Sequence, residues 1–289
     1  MGHGLCSVDT ARLLERFRLS FSRENDNHRC VMDKLRTVED CEAALRPVAA
    51  FASDHPDGEH IAPHRHARAQ LIHTLGGVMT VTSPEGGWIV PPGRAVWMPP
   101  QCDHAIRIAG DVPMRTVFVR EDARPSLPRQ CEVMEVSPFL REAIVAATRI
   151  PLDYAAGGRD ERVMDLILDE IEAAPRLHLH VPMPRDPRLA RLCQKLIAEP
   201  ARPVTLEELA REIHVSSRTL ARMFHRELGL SFGDWLRRMR LLLSLPRLAA
   251  GASVLSVALE HGYDSPSAFA AMFRRTMGVS PKAYLEGRL

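Results

Sequence analysis

The sequence predicts an α+β multidomain chain: an antiparallel β-barrel or sandwich with flanking helices, followed by an all-α C-terminal domain with two helix-turn-helix motifs. Three observations predict it. Short apolar runs separated by turn residues crowd positions 46–136. Capped, helix-periodic segments fill 187–289 and repeat at an offset of 49 residues. Charge is also divided: residues 187–289 hold 16 Lys+Arg against 9 Asp+Glu, whereas 1–186 hold 22 against 27, although the whole chain is only +2. A basic end joined to an acidic one suggests a nucleic-acid-binding module beside a module with another task.

Length and composition exclude several classes. A chain of 289 residues suits about two domains. Met1–Ser20 carries Asp9, Arg12, Glu15, Arg16 and Arg18 and has no apolar core, so it does not read as a secretory signal. The most apolar stretch, Leu241–Leu259, is broken by Pro246, Arg247 and Gly251 and is a poor membrane span. The six cysteines form no C-x-x-C pair and suit neither a zinc module nor a disulfide framework. They read as reduced, mostly structural thiols of a cytoplasmic protein.

Residues 1–45 are polar and weakly periodic and read as a partly disordered extension. In 46–136 the runs Val48–Phe51, Gln70–Leu75, Val78–Val81, Trp88–Val90, Ala95–Met98, Ala105–Ile108, Met114–Val119 and Glu132–Val136 read as strands. Gly76-Gly77, Pro91-Pro92-Gly93, Pro99-Pro100 and Gly110-Asp111 are among the turns between them. In 137–173, Phe139, Leu140, Ile144 and Val145 form one apolar stripe, and Val163, Leu166, Ile167, Leu168 and Ile171 another. These helices either cover the barrel or form a dimer surface. The proline-rich stretch 174–186 reads as a linker.

The C-terminal part, 187–289, carries the strongest signal. Thr205-Leu-Glu-Glu208 is a capping box ahead of an apolar-periodic helix. Ser216 caps a second helix containing Leu220, Phe224 and Leu228, and Gly229 stands where a left-handed cap is needed. The pattern returns with Val254, Val257 and Ala258, then Ser265-Pro266, Phe269, Phe273 and Gly278. Residues 218–236 and 267–285 are identical at 7 of 19 aligned positions.

Thr205–Leu236 and Ser253–Leu285 resemble the tandem helix-turn-helix domain of AraC/XylS-family transcription regulators, over about 187–287. The resemblance implies two recognition helices entering adjacent major-groove segments of double-stranded promoter DNA. Helical spacing agrees: with Leu220 and Phe224 inward, Arg218, Arg222 and His225 share the outer face. An arginine there can read guanine through two hydrogen bonds. Ser217 and Thr219, at a helix N-terminus, suit phosphate. On the second helix Ser265 caps, while Ser267, Ala268, Ala270 and Ala271 are small outer positions that suit shape readout or thymine methyl contact. Arg274 and Arg275 suit phosphates. Base reading is therefore expected mainly from the first motif.

His60–Val119 resembles a cupin, a jelly-roll barrel found as a sensor domain in many such regulators. The carrying residues are P-H-R-H at 63–66, Gln70, P-P-G at 91–93 and W-M-P-P-Q-C-D-H at 97–104. Cupins hold a divalent metal through an H-x-H pair, a carboxylate and a later histidine; the matching positions are His64, His66, Gln70 and His104. Gln70 departs from the carboxylate, which leaves open a weakened metal site or a metal-free effector site. His60 and His73 read as structural or exposed.

Together these features imply a one-component transcription regulator, not an enzyme, controlled by a small effector or metal, with a second copy of the chain and RNA polymerase as further partners and no membrane. A metal-dependent cupin enzyme (oxygenase or isomerase) carrying a DNA-binding domain is the alternative, and a nucleoid-type binder without sequence preference is a third reading.

Overall fold

A computed structural model describes residues 36–177 and 179–285. The extension expected over 1–45 lies outside these residues up to Leu35; its last part is ordered. Thr37 caps a short helix, α1 (Val38–Glu42), through a capping box with Asp40.

Among the described residues eleven strands follow: β1 (Val48–His55), β2 (His60–His64), β3 (Ala69–Thr74), β4 (Val78–Ser83), β5 (Gly86–Val90), β6 (Arg94–Met98), β7 (His104–Ala109), β8 (Val112–Val119), β9 (Glu132–Glu135), β10 (Arg176–Leu177) and β11 (His180–Pro182). They form two antiparallel sheets, ordered β1-β8-β3-β6-β9-β10 and β11-β5-β4-β7-β2. Of the barrel and sandwich forms expected, the sheets take the open, two-layered one. Alternation sets the layers. On β3, Gln70 and Ile72 face the space between the sheets. Leu71, with Val117, Val119 and Met134, packs outward against Leu140, Ile144, Ile167, Leu168 and Ile171. These last residues belong to α2 (Pro138–Ala147) and α3 (Arg159–Ala173). Both faces of β3 are thus covered and all six of its residues are buried. The stripes of α2 and α3 are spent largely on the molecule's own sheet, leaving Phe139 and Leu166 exposed.

Residues 174–186, read from sequence as a linker, also carry secondary structure. They supply β10 and β11, which extend one sheet each. Proline content signalled a chain free of helix, which is equally the condition for short edge strands. Gly86 lets β11 approach: its φ is 150°, and a Cβ there would lie 2.5 Å from Val181 O.

The C-terminal domain comprises α4 (Pro187–Ala198), α5 (Leu206–Glu212), α6 (Ser217–Leu228), α7 (Phe232–Ala249), α8 (Val254–Glu260), α9 (Pro266–Met277) and α10 (Pro281–Leu285). Leu189, Leu196, Leu209, Phe224, Trp235, Leu245, Val257, Phe269 and Phe273 fill its core. That core continues into Met79, Ile89 and Val181 of the second sheet as one apolar cluster. Trp235 Nε1 donates to Pro182 O at 2.9 Å, fixing α7 to β11.

Candidate DNA interface and histidine pocket

The two helix-turn-helix motifs are built alike. In the first, Thr205 Oγ1 accepts from Glu208 N at 3.2 Å, and Thr205 N donates to Glu208 Oε2 at 2.8 Å. The turn passes through His214 at φ 56°, and in the second motif through Gly262 at φ 73°. Val215 N donates to Ala210 O at 3.0 Å, and Tyr263 N to Ala258 O at 2.9 Å, so the two turns close in the same way. Ser216 and Ser265 cap 12-residue recognition helices through Thr219 N and Ala268 N. Gly229 and Gly278 end them in the left-handed conformation that glycine adopts without strain.

Packing decides which faces remain for DNA. Leu220, Met223 and Phe224 of α6 are buried, while Arg218, Thr219, Arg222 and His225 are exposed and Ser217 is half-buried. Among the described residues neither Arg218 nor Arg222 has an ion-pair partner, whereas Arg226 pairs with Glu227 at 3.1 Å. The Thr219 hydroxyl lies 2.9 Å from Ser216 Oγ and is engaged in the cap. On α9, Phe269 and Phe273 are buried and Ser267, Ala268, Ala271, Arg274 and Arg275 exposed; Ser265 and Ala270 are half-buried. The offset of 49 sets Ser267, Ala271 and Arg274 equivalent to Arg218, Arg222 and His225. Arg275 falls outside that row and lines a cleft with Arg94, Arg176 and Arg237.

One residue that sequence reading missed ties the motifs together. Arg240, on α7, donates to Pro200 O at 2.8 Å, Arg202 O at 3.2 Å and Gly262 O at 3.2 Å. It joins the approach to the first motif to the turn of the second. A Cβ at Gly262 would stand 2.8 Å from Arg240 Nη2, so the glycine makes room for the clamp. Nothing in the local spacing marks Arg240, because its partners are carbonyls brought near only by folding.

The second site lies between the sheets. His64 ends β2 opposite His104 at the start of β7, and His66 follows in the next loop. One ring nitrogen of each lies within 4.8 Å of the others. His64 Nδ1 is 2.8 Å from Ala62 O, and His104 Nδ1 is 2.9 Å from Cys102 O. A ring that donates through Nδ1 leaves Nε2 as its acceptor. His66 Nδ1 is 3.4 Å from Glu42 Oε1. Burial, with the charge of His64 adding to it, pushes His66 down to about 4. Burial likewise holds His104 at about 4, opposed in part by the Cys102 carbonyl. Both rings are neutral near pH 7, the state that ligates metals.

A cavity of about 950 Å³ surrounds these rings, walled by Phe51, Ile72, Ile106, Met114 and Phe118. His104 Nε2, Gln70 Oε1 and Glu42 Oε1 are buried without a hydrogen-bond partner, and all three residues line this cavity. Gln70 thus shares the cavity with the histidines, as the resemblance implied. Glu42 was not foreseen: it arrives from α1, in the stretch read as an extension, with its second oxygen accepting from Ala67 N at 3.0 Å. His60 is exposed. His73 is buried, with Nδ1 2.8 Å from Arg94 O.

Comparison with known proteins agrees with both halves. The description "AraC-like ligand binding domain" matches residues 47–216 and "Helix-turn-helix domain" matches 209–287. The HTH-type transcriptional regulator NimR of Escherichia coli K12 is 31% identical over 222 residues, 77% of this chain and 81% of NimR. The regulator RipA of Corynebacterium glutamicum is 32% identical over 108 residues, 37% of this chain and 33% of RipA. Among solved structures, ToxT of Vibrio cholerae is 10% identical with a TM-score of 0.36, covering 83% of this chain and 98% of ToxT. With a ligand-binding domain and a tandem helix-turn-helix domain in one chain, this protein belongs to the AraC-type family of DNA-binding transcription regulators.

Proposed function

We propose that the cavity between the sheets is the sensory site, and that His64, His66 and His104 hold a divalent transition metal there. The observation that supports this reading is the pair of buried, unpartnered polar atoms, His104 Nε2 and Gln70 Oε1, in a cavity that also holds three converging imidazoles. Buried polar atoms normally have partners. A metal ion would take the imidazole nitrogens, with Gln70 Oε1 as a neutral oxygen donor beside them; three imidazoles suit zinc, iron, nickel or manganese to differing degrees. The ion would supply a fixed positive charge and open coordination positions for an effector whose apolar body meets the phenylalanine, isoleucine and methionine walls. The relatives are regulators, which favours a sensory over a catalytic use of the pocket.

For DNA, we assign base reading to Arg218, Arg222 and His225 of α6. Ser217, Thr219, Ser265, Ser267, Ala271 and Arg274 of the two helix faces contribute phosphate and shape contacts. A homodimer in the cytoplasm, contacting RNA polymerase at the promoter, completes the reading.

Two measurements test it. Metal-stripped protein titrated with cobalt(II) or zinc(II) should bind one equivalent, and His104→Ala should lose it; a folded wild-type protein that binds neither removes the metal from the proposal. Selection of binding sites from random DNA at near-physiological salt should enrich a motif of about two helical turns. Random recovery would leave a binder without sequence preference. A monomeric mass by sedimentation at micromolar concentration would remove the homodimer.

A further inference from the structure

The cysteines carry no motif in sequence, yet folding brings two of them together. Cys102 Sγ and Cys131 Sγ are 3.5 Å apart, and both residues are half-buried. Cys102 sits in the loop between β6 and β7. Cys131 ends the long loop between β8 and β9. The two thiols therefore join segments that are otherwise held only by non-covalent contacts. A disulfide requires sulfurs about 2.05 Å apart, so closing this pair draws the two loops toward each other.

The loop bearing Cys102 is tied to the histidine pocket at two points. Gln101 N donates to His66 O at 2.8 Å. The Cys102 carbonyl accepts from His104 Nδ1 at 2.9 Å. Gln101 itself has φ 60°, a conformation uncommon outside glycine. A residue held there is kept by its surroundings, so a displaced neighbour has a ready way to relax. A covalent bond at Cys102 therefore bears on two of the three imidazoles at once.

We infer that Cys102 and Cys131 form a redox modification site, a dithiol that a hydroperoxide closes to a disulfide, and that closure rearranges the 99–103 loop and with it His66 and His104. In the first step one sulfur attacks a peroxide oxygen. A sulfur–oxygen bond forms, the oxygen–oxygen bond breaks, and the thiol proton leaves with the departing oxygen as water or alcohol. In the second step the other sulfur attacks the resulting sulfenic acid. The sulfur–sulfur bond forms, the sulfur–oxygen bond breaks, and the hydroxyl leaves with the second thiol proton as water. Two thiols lose two electrons and one hydroperoxide gains them. The balance is the same whichever sulfur attacks first. The inference stands apart from the metal reading, because it needs only the thiols and the loop.

The test uses the reduced full-length protein treated with hydrogen peroxide. Intact mass should fall by two hydrogens, and non-reducing peptide mapping should recover a Cys102–Cys131 cross-link that dithiothreitol reverses. Cys102→Ser and Cys131→Ser should each abolish that cross-link. Amide hydrogen exchange in the peptide spanning 99–104 should change severalfold on oxidation of the wild type and stay constant in peroxide-treated Cys131→Ser. Cysteines that remain separately alkylatable, or that pair only with other cysteines, in a protein whose circular dichroism is native would overturn the site. A cross-link with unchanged exchange over 99–104 would overturn its link to the histidines.

Discussion

Single side chains divide the work between the two ends of the chain. Arg222 is exposed on the outer face of α6 and, among the described residues, has no ion-pair partner, so the proposed contact with DNA would not require its guanidinium fork to leave a carboxylate. Arg222→Ala should weaken binding to the selected sequence by about 1–3 kcal/mol and relax one base position. An equal loss on random DNA, measured by fluorescence anisotropy, would make Arg222 a phosphate contact. In the pocket, Glu42 Oε1 stands 3.4 Å from His66 Nδ1, the place from which an outer carboxylate would orient the ring if His66 holds the proposed metal. Glu42→Gln should lower cobalt(II) affinity about 10–100-fold with the fold intact. Unchanged affinity in calorimetry would release Glu42 from that role. The histidines also set a pH dependence. His66 and His104 titrate near 4 in the fold against an ordinary 6.5, so the unfolded chain binds more protons between those values. The stability they contribute is fully present above pH 6.5 and is lost as pH falls toward 4. Urea midpoints should decline over that window, and less steeply in His66→Gln; equal slopes in both proteins would refute the assignment.

Secondary elements show what a sequence can reveal and where it stops. The two recognition helices were legible because their signals are local: Ser216 and Ser265 as caps, Gly229 and Gly278 as ends, and apolar spacing between them. Eight of the strands were also legible, since alternation and turn residues are local too. Residues 60–64, 176–177 and 180–182 were not read as strands because they are short or proline-flanked and owe their form to partners distant in sequence. The histidine triad could be named by its resemblance, but Glu42 and Arg240 could not. Each meets partners that folding alone brings near, Glu42 from a helix five residues long. The β11 edge can be tested directly. Gly86→Ala places a Cβ 2.5 Å from Val181 O and should cost about 1–3 kcal/mol as the strand is pushed away. A melting temperature unchanged in differential scanning calorimetry would mean that β11 absorbs the methyl by a small shift.

Across the whole molecule, the sensory sheets and the DNA-binding helices are not beads on a string. Met79, Ile89 and Val181 share one apolar cluster with Trp235, Leu245 and Phe273, and the proline-rich stretch between the domains is stitched into both sheets. Heat should therefore unfold residues 36–285 in a single calorimetric transition. A ligand present at 100 times its Kd should raise the stability of that whole unit by about 2.7 kcal/mol. Two separated transitions would show that the shared core does not couple the domains. The indole of Trp235 adds an optical consequence. The chain has three tryptophans: Trp88 and Trp97 lie on strands of the sheets, and Trp235, on α7, spans the seam, its N–H held by Pro182 O. With the other two replaced by phenylalanine, the colour of its emission becomes a built-in gauge of whether the two halves of the regulator are together or apart.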